Sequence, residues 1–253
     1  MEIAGQAAIV SGGASGLGRA TAEALTAAGV KVTILDVNEA SATAAAREIG
    51  GFAICCDVTD AGAVEAAVAA ARQWHGPTRI AVNCAGIGTA GRIVGRDGPL
   101  PLDAFRRVIE VNLIGSFNLL RVAAAEMTIL DPLADGERGI IVSTASVAAY
   151  EGQIGQAAYS ASKGGIVSLT LPAARELARY GVRVVAIAPG LFETPMLAGL
   201  PQNVQESLAA SVPFPSRLGR PAEYAALVLH LCQNRMINGE VIRLDGALRM
   251  APR

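Results

Sequence analysis

The chain is poor in the side chains that most often perform acid-base and metal chemistry, with two histidines in 253 residues. His75 and His230 sit in "AARQWHG" and "LVLHLCQ", apolar stretches of helical spacing, and neither belongs to an H-E-x-x-H pattern. Acid-base work by imidazole is therefore not expected. Four cysteines, Cys55, Cys56, Cys84 and Cys232, form no C-x-x-C pair and no regular framework, which argues against a zinc site and against a disulfide scaffold. No metal is expected. Charge is sparse as well, at 17% of residues, and the formal net charge is -1 without a run of Lys or Arg. That removes the electrostatic footprint of nucleic-acid binding. No apolar run reaches the roughly 18 residues of a membrane span, and the start of the chain has an acid at position 2 and no basic leader. The expectation is a soluble, cytoplasmic protein without a membrane partner.

What the chain has instead is aliphatic and small: 52% hydrophobic residues and 28 glycines. At this length that is enough for one large core. Runs rich in Val and Ile fall at 7–11, 31–36, 52–56, 79–83, 139–144, 182–188 and 240–244. Ala-rich segments of helical character fall at 16–28, 39–48, 61–74, 103–127, 157–179, 203–211 and 221–233. The alternation predicts an α/β single-domain Rossmann fold over 1–253, a doubly wound seven-stranded parallel sheet with helices on both faces. Three insertions break the rhythm, at 87–102, 128–139 and 189–220. The segment at about 190–215 follows the sixth strand and carries Leu191, Phe192, Met196, Leu197, Leu200, Leu208 and Phe214, the composition of an apolar lid over a substrate.

"SGGASGLG", 11–18, runs from the first strand into the first helix, with glycines at 12, 13, 16 and 18. Gly12, Gly16 and Gly18 allow a tight turn and let backbone N–H groups approach a pyrophosphate at the positive end of a helix. Asp36 ends the second strand 18 residues after Gly18, close to the offset of about 20 at which an acid accepts the ribose hydroxyls of NAD. No Lys or Arg stands at 12–18 or 37–38 to neutralise a 2′-phosphate, so NAD is expected over NADP. "CDVTD" and "NCAGIG" end the third and fourth strands. Asp57 and Val58 are placed to hold the adenine, and Cys84 and Gly86 to let backbone approach the cofactor.

In "YSASK", Tyr159 and Lys163 are four residues apart and share one helix face. A phenol with a pKa of about 10 is a poor base alone. A lysine cation on the same face, beside a positively charged oxidised nicotinamide, favours the phenolate. Ser146, thirteen residues before Tyr159 at the end of the fifth strand, can hold the reacting oxygen of a substrate, with Gln153 as a further contact.

These motifs together resemble the short-chain dehydrogenase/reductase family over nearly the whole chain. "SGGASGLG" resembles its T-G-x-x-x-G-x-G turn, "NCAG" its N-N-A-G, "YSASK" its Y-x-x-x-K, and "APG" with Thr194 its P-G-x-x-x-T. Within it, runs such as "STASVAAYEGQIGQAAYSASKGG" and "NGEVIRLDGALRM" resemble the subfamily of type 2 3-hydroxyacyl-CoA dehydrogenases, also known as hydroxysteroid dehydrogenases. The resemblance implies Tyr159 as base, Lys163 as its partner and ribose ligand, Ser146 as oxyanion and substrate holder, and Asn112 as anchor of a water-linked proton relay. It also implies cofactor contacts at Ser15, Leu17, Asp36, Asp57, Val58, Cys84, Phe192 and Thr194. The implied enzyme oxidises the C3 hydroxyl of an acyl-CoA with NAD and is a homotetramer built on its long helices. Another secondary alcohol such as a steroid, or a 3-oxoacyl carrier-protein thioester, stays open as substrate. An intact Ser146, Tyr159 and Lys163 set argues against a non-catalytic nucleotide-sensing scaffold.

Overall fold

Strands buried on both faces need no polar alternation, and the Val/Ile runs of this chain behave accordingly: Ala7–Ser11, Thr78–Asn83 and Val182–Pro189 are buried at every position. The computed structural model describes residues 1–199 and 201–252, without the Met196 side chain. In chain order the sheet strands are β1 (Ala7–Ser11), β2 (Lys31–Asp36), β3 (Phe52–Cys55), β4 (Thr78–Asn83), β5 (Gly139–Thr144), β6 (Val182–Pro189) and β7 (Val241–Leu244). All seven pair in parallel, in the spatial order β3-β2-β1-β4-β5-β6-β7. The expected doubly wound sheet is present, each strand within about two residues of its sequence reading.

The helices are α1 (Gly16–Ala27), α2 (Glu39–Ile49), α3 (Ala61–His75), α4 (Leu102–Thr128), α5 (Ala157–Ala178), α6 (Pro195–Ala198), α7 (Gln202–Ala210) and α8 (Pro221–Gln233). Alternate strand residues divide the core between two faces. Ala8, Val10, Ile34 and Val142 pack with Ala22 and Leu25 of α1, Ala45 of α2, and Val228 and Leu231 of α8. Ile9 and Leu35 face Val64 and Val68 of α3, and Ile141 and Val184 face Leu120 and Met127 of α4 and Ala173 of α5. Helix α4 has the length and hydropathy of a membrane span. Its apolar residues Val108, Leu119, Leu120, Ala123, Ala124 and Met127 are buried inside the protein, which accounts for that composition.

Two features lie beyond the sequence reading. The helix expected over 103–127 is interrupted by a π turn at Glu110–Ile114. Part of the first insertion folds into a small antiparallel hairpin, Val94–Gly95 with Gly98–Pro99, whose residues are mostly exposed and too few to show a period.

The strand order reverses direction between β1 and β4, and the crevice that opens there at the carboxyl ends is where an open parallel sheet binds ligands.

Candidate active site

A cleft of about 710 Å³ runs along those carboxyl ends. Its nucleotide half begins at the β1–α1 turn. Gly12 has φ +65°, and a Cβ there would lie 2.7 Å from the Ala85 nitrogen; a Cβ at Gly18 would run into the Gly12 carbonyl oxygen. The turn thus closes on itself only without side chains. Ser15 caps α1 without a side-chain bond, and the first turn carries no acid, so the N–H groups of Gly16, Leu17 and Gly18 keep their positive field toward the cleft.

Asp36 spans the same turn: its carboxylate accepts from the Ala14 N–H at 3.2 Å and from the Asn38 N–H at 3.0 Å. Asp57 accepts from the Thr59 N–H at 2.9 Å and the Thr59 hydroxyl at 2.7 Å, and these bonds hold its carboxyl below the ordinary range. The Val58 carbonyl accepts from Asn118 Nδ2 at 2.9 Å, which fixes the β3–α3 loop against α4. Glycines that a Cβ would fill, an uncapped helix end and a strand-end carboxylate fit a dinucleotide with free ribose hydroxyls.

The reactive half gathers Ser146, Tyr159 and Lys163 on the cleft wall. Lys163 is buried, and its Nζ donates to the Thr144 carbonyl at 2.7 Å. Nζ stands 5.8 Å from the centre of the Tyr159 ring. Burial pulls the lysine down to about 8. Burial also pushes the Tyr159 phenol up, against the opposing effect of a bond to Ser146. Both directions are those of the protein alone, to which oxidised NAD would add a further positive charge. Asn112 is fully buried on the π turn, where its amide brackets Ile87, accepting from its N–H at 2.8 Å and donating to its carbonyl at 2.9 Å. It therefore ties α4 to the loop after β4, behind the cleft lining.

Of the residues singled out in the sequence, Gly12, Ser15, Gly16, Leu17, Gly18, Asp36, Asp57, Val58, Cys84, Gly86, Ser146, Tyr159, Lys163, Phe192 and Thr194 all line this one cleft. Gln153 does not. Its Nε2 donates to the Ala251 carbonyl at 3.0 Å, and Gln156, one turn closer to Tyr159, lines the cleft in its place. Spacing could have identified Gln156, three residues before Tyr159 at the start of α5; Met250, which also lines the cleft, arrives from the far end of the chain with no local signal. Of the expected lid, Leu191, Phe192 and Leu197 line the cleft, Leu208 does not, and Phe214 is exposed elsewhere. Leu200 and the Met196 side chain lie outside the described residues.

Known proteins resemble this chain in sequence and in fold. A 3-hydroxyacyl-CoA dehydrogenase type-2 from Bos taurus is 52% identical over 99% of this chain and 97% of its own length. That from Homo sapiens is 51% identical over 99% of the chain and 97% of its length. The crystal structure of 3-hydroxyacyl-CoA dehydrogenase type-2 from Mycobacterium avium superposes with a TM-score of 0.94 at 45% identity, covering 98% of each chain. A 7 alpha-hydroxysteroid dehydrogenase complexed with NADH and 7-oxo glycochenodeoxycholic acid superposes at 0.89 and 27% identity over 100% of this chain and 97% of that one. Residues 6–205, from β1 through the reactive helix to α7, match the family model described as short chain dehydrogenase, and the chain belongs to that family.

Proposed function

We propose that this enzyme transfers hydride between the C3 hydroxyl carbon of a short or branched 3-hydroxyacyl-CoA and NAD. Half identity from end to end with proteins of that named activity supports the substrate class. Bound NAD supplies the hydride acceptor and, when oxidised, a positive charge beside the phenol. The chain's own residues do the rest. Ser146 and Tyr159 hold the substrate oxygen, and Tyr159 Oη takes the hydroxyl proton as hydride leaves C3, giving the 3-oxo thioester. Lys163 keeps a positive charge beneath the phenol while the proton moves on.

Leu191, Phe192, Leu197, Val147 and Met250 give the cleft apolar walls suited to a short acyl chain. Arg107 is the arginine on the rim of the cleft, 3.8 Å from Asp57, and Arg92 and Arg96 are exposed away from its lining; without a concentrated basic patch, binding energy comes mainly from the acyl and pantetheine portions. Initial rates of NADH formation across 3-hydroxyacyl-CoA esters and hydroxysteroids test the reading. We expect 3-hydroxybutyryl-CoA or its 2-methyl form to be oxidised, with the pantetheine thioester losing less than about 100-fold in kcat/KM. Rapid oxidation of a steroid alcohol with none of any short acyl-CoA would transfer the assignment to the hydroxysteroid reading, which the 7 alpha-hydroxysteroid dehydrogenase fold also supports.

The same reading includes a homotetramer. Ile114 and Phe117 on α4 and Leu171 on α5 are exposed at 50%, 46% and 43%, apolar positions on the two long helices without cover in one chain. Light scattering at micromolar concentration should return four times the 25.8 kDa chain mass, and a monomer mass would refute it.

A further inference from the structure

Helix α8 lies outside the reactive machinery, yet one of its side chains bonds to Thr144, which lines the cleft. Tyr224 is fully buried, with its hydroxyl 2.7 Å from Thr144 Oγ1 and 3.9 Å from Cys84 Sγ. The Thr144 hydroxyl has one proton, and it goes to the Asn83 carbonyl at 2.5 Å. The proton in the Tyr224–Thr144 bond is therefore the phenol's. The order of donation runs from Tyr224 through Thr144 to the end of β4.

Thr144 has a second engagement, because its backbone carbonyl accepts from Lys163 Nζ at 2.7 Å. The other groups around the ammonium are the Cys84 thiol just after β4, the Tyr159 ring on its own helix and the Asn112 amide of α4 across Gly86. Among the described residues the Thr144 carbonyl is the hydrogen-bond acceptor that Nζ reaches directly. Where the family pattern N-N-A-G has an amide, this chain has Cys84, whose thiol is a weak hydrogen-bonding group. The strong bond at this point comes instead from Tyr224, across the interface of α8 with the sheet.

We propose that Tyr224 is a positioning residue: its buried hydroxyl fixes Thr144, and Thr144 in turn holds the Lys163 ammonium where proton transfer needs it. The inference rests on the dehydrogenase reading for its consequence in catalysis, but the lysine itself can be observed without turnover. A lysine buried to the point of titrating at about 8 changes its charge state readily when an acceptor loosens.

The chain contains two lysines, Lys31 and Lys163, and Lys31 is exposed. A full-length protein labelled with carbon-13 at the lysine ε position therefore gives two signals, one of them an internal control. In Tyr224→Phe, which keeps the ring, the Lys163 midpoint should fall by about half a pH unit or more while Lys31 stays put. In the same variant kcat for NAD-linked alcohol oxidation should drop about fivefold or more at little change in substrate KM. Thr144→Val should reproduce the shift without touching α8, and Thr144→Ser should restore the original midpoint. This pair also carries the test should the Phe variant not fold. An unchanged Lys163 midpoint in Tyr224→Phe or in Thr144→Val overturns the proposal, even if melting temperature falls. A shifted midpoint in a protein that oxidises no alcohol would leave Tyr224 in place and overturn the dehydrogenase reading instead.

Discussion

Replacing Tyr159 by Phe is expected to lower kcat for alcohol oxidation by about a hundredfold or more, with the circular dichroism and melting temperature close to those of the unaltered enzyme. The ring sits on the wall of the cleft beside Ser146 and one helical turn from Lys163, and Phe preserves its packing while removing the proton acceptor. The cofactor turn between β1 and α1 lies on the far side of the crevice, so the KM for NAD should change far less than kcat. The pH profile carries a second signature. Burial pushes the Tyr159 phenol above its ordinary value, so oxidation, which needs that proton removed, should rise with pH. The unaltered enzyme should therefore work best on the alkaline side of neutrality, and the Phe variant should lose the rising limb. Near-full turnover by the Phe variant would reassign the base.

The enzyme should also favour NAD over NADP by about a hundredfold or more in kcat/KM. The Asp36 carboxylate is held in place by two backbone N–H groups, so it cannot swing aside from a 2′-phosphate, and each ribose hydroxyl it would accept from is lost or crowded by that group. Like charges a few ångström apart at a half-buried site cost on the order of a few kcal/mol. Arg19, the first base after the cofactor turn in sequence, is paired with Glu23 and Glu48 at 2.6 Å each. Asp36→Asn should narrow the ratio while retaining activity with NAD. Equal efficiency with the two cofactors in the unaltered enzyme would sink this account.

Much of the architecture was legible because the signals were local and repeated. A parallel sheet under two helical layers writes itself as Val/Ile runs, and β4 and β6 are buried at every position, as such runs imply. The cofactor turn was legible for a similar reason, since Gly12 and Gly18 answer to contacts within one short segment and the strand beside it. What stayed hidden depends on three-dimensional neighbours. Gln153 is drawn out of the cleft by the Ala251 carbonyl, some hundred residues away, a contact that its local sequence does not announce. The partition of phenol and lysine protons depends on how deeply the pair is buried, which no four-residue spacing encodes. Tyr224 reads as one more apolar helix position; its hydroxyl acquires meaning only when β4 and β5 arrive beneath it.

The π turn in α4 holds the two ends of that helix out of step. It amounts to one residue more than a regular helix would use, and a regular helix turns by about 100° per residue. Deleting any one residue from 110–114 would let the helix run true and, with its C-terminal part anchored in the core, swing Leu102–Ile109 around the axis. Arg107 would leave the rim of the cleft, and Val108, now fully buried, would turn toward water. Evolution can therefore change the identity of most side chains in this stretch more easily than it can change its count, and a surplus residue becomes a fixed dimension of the enzyme.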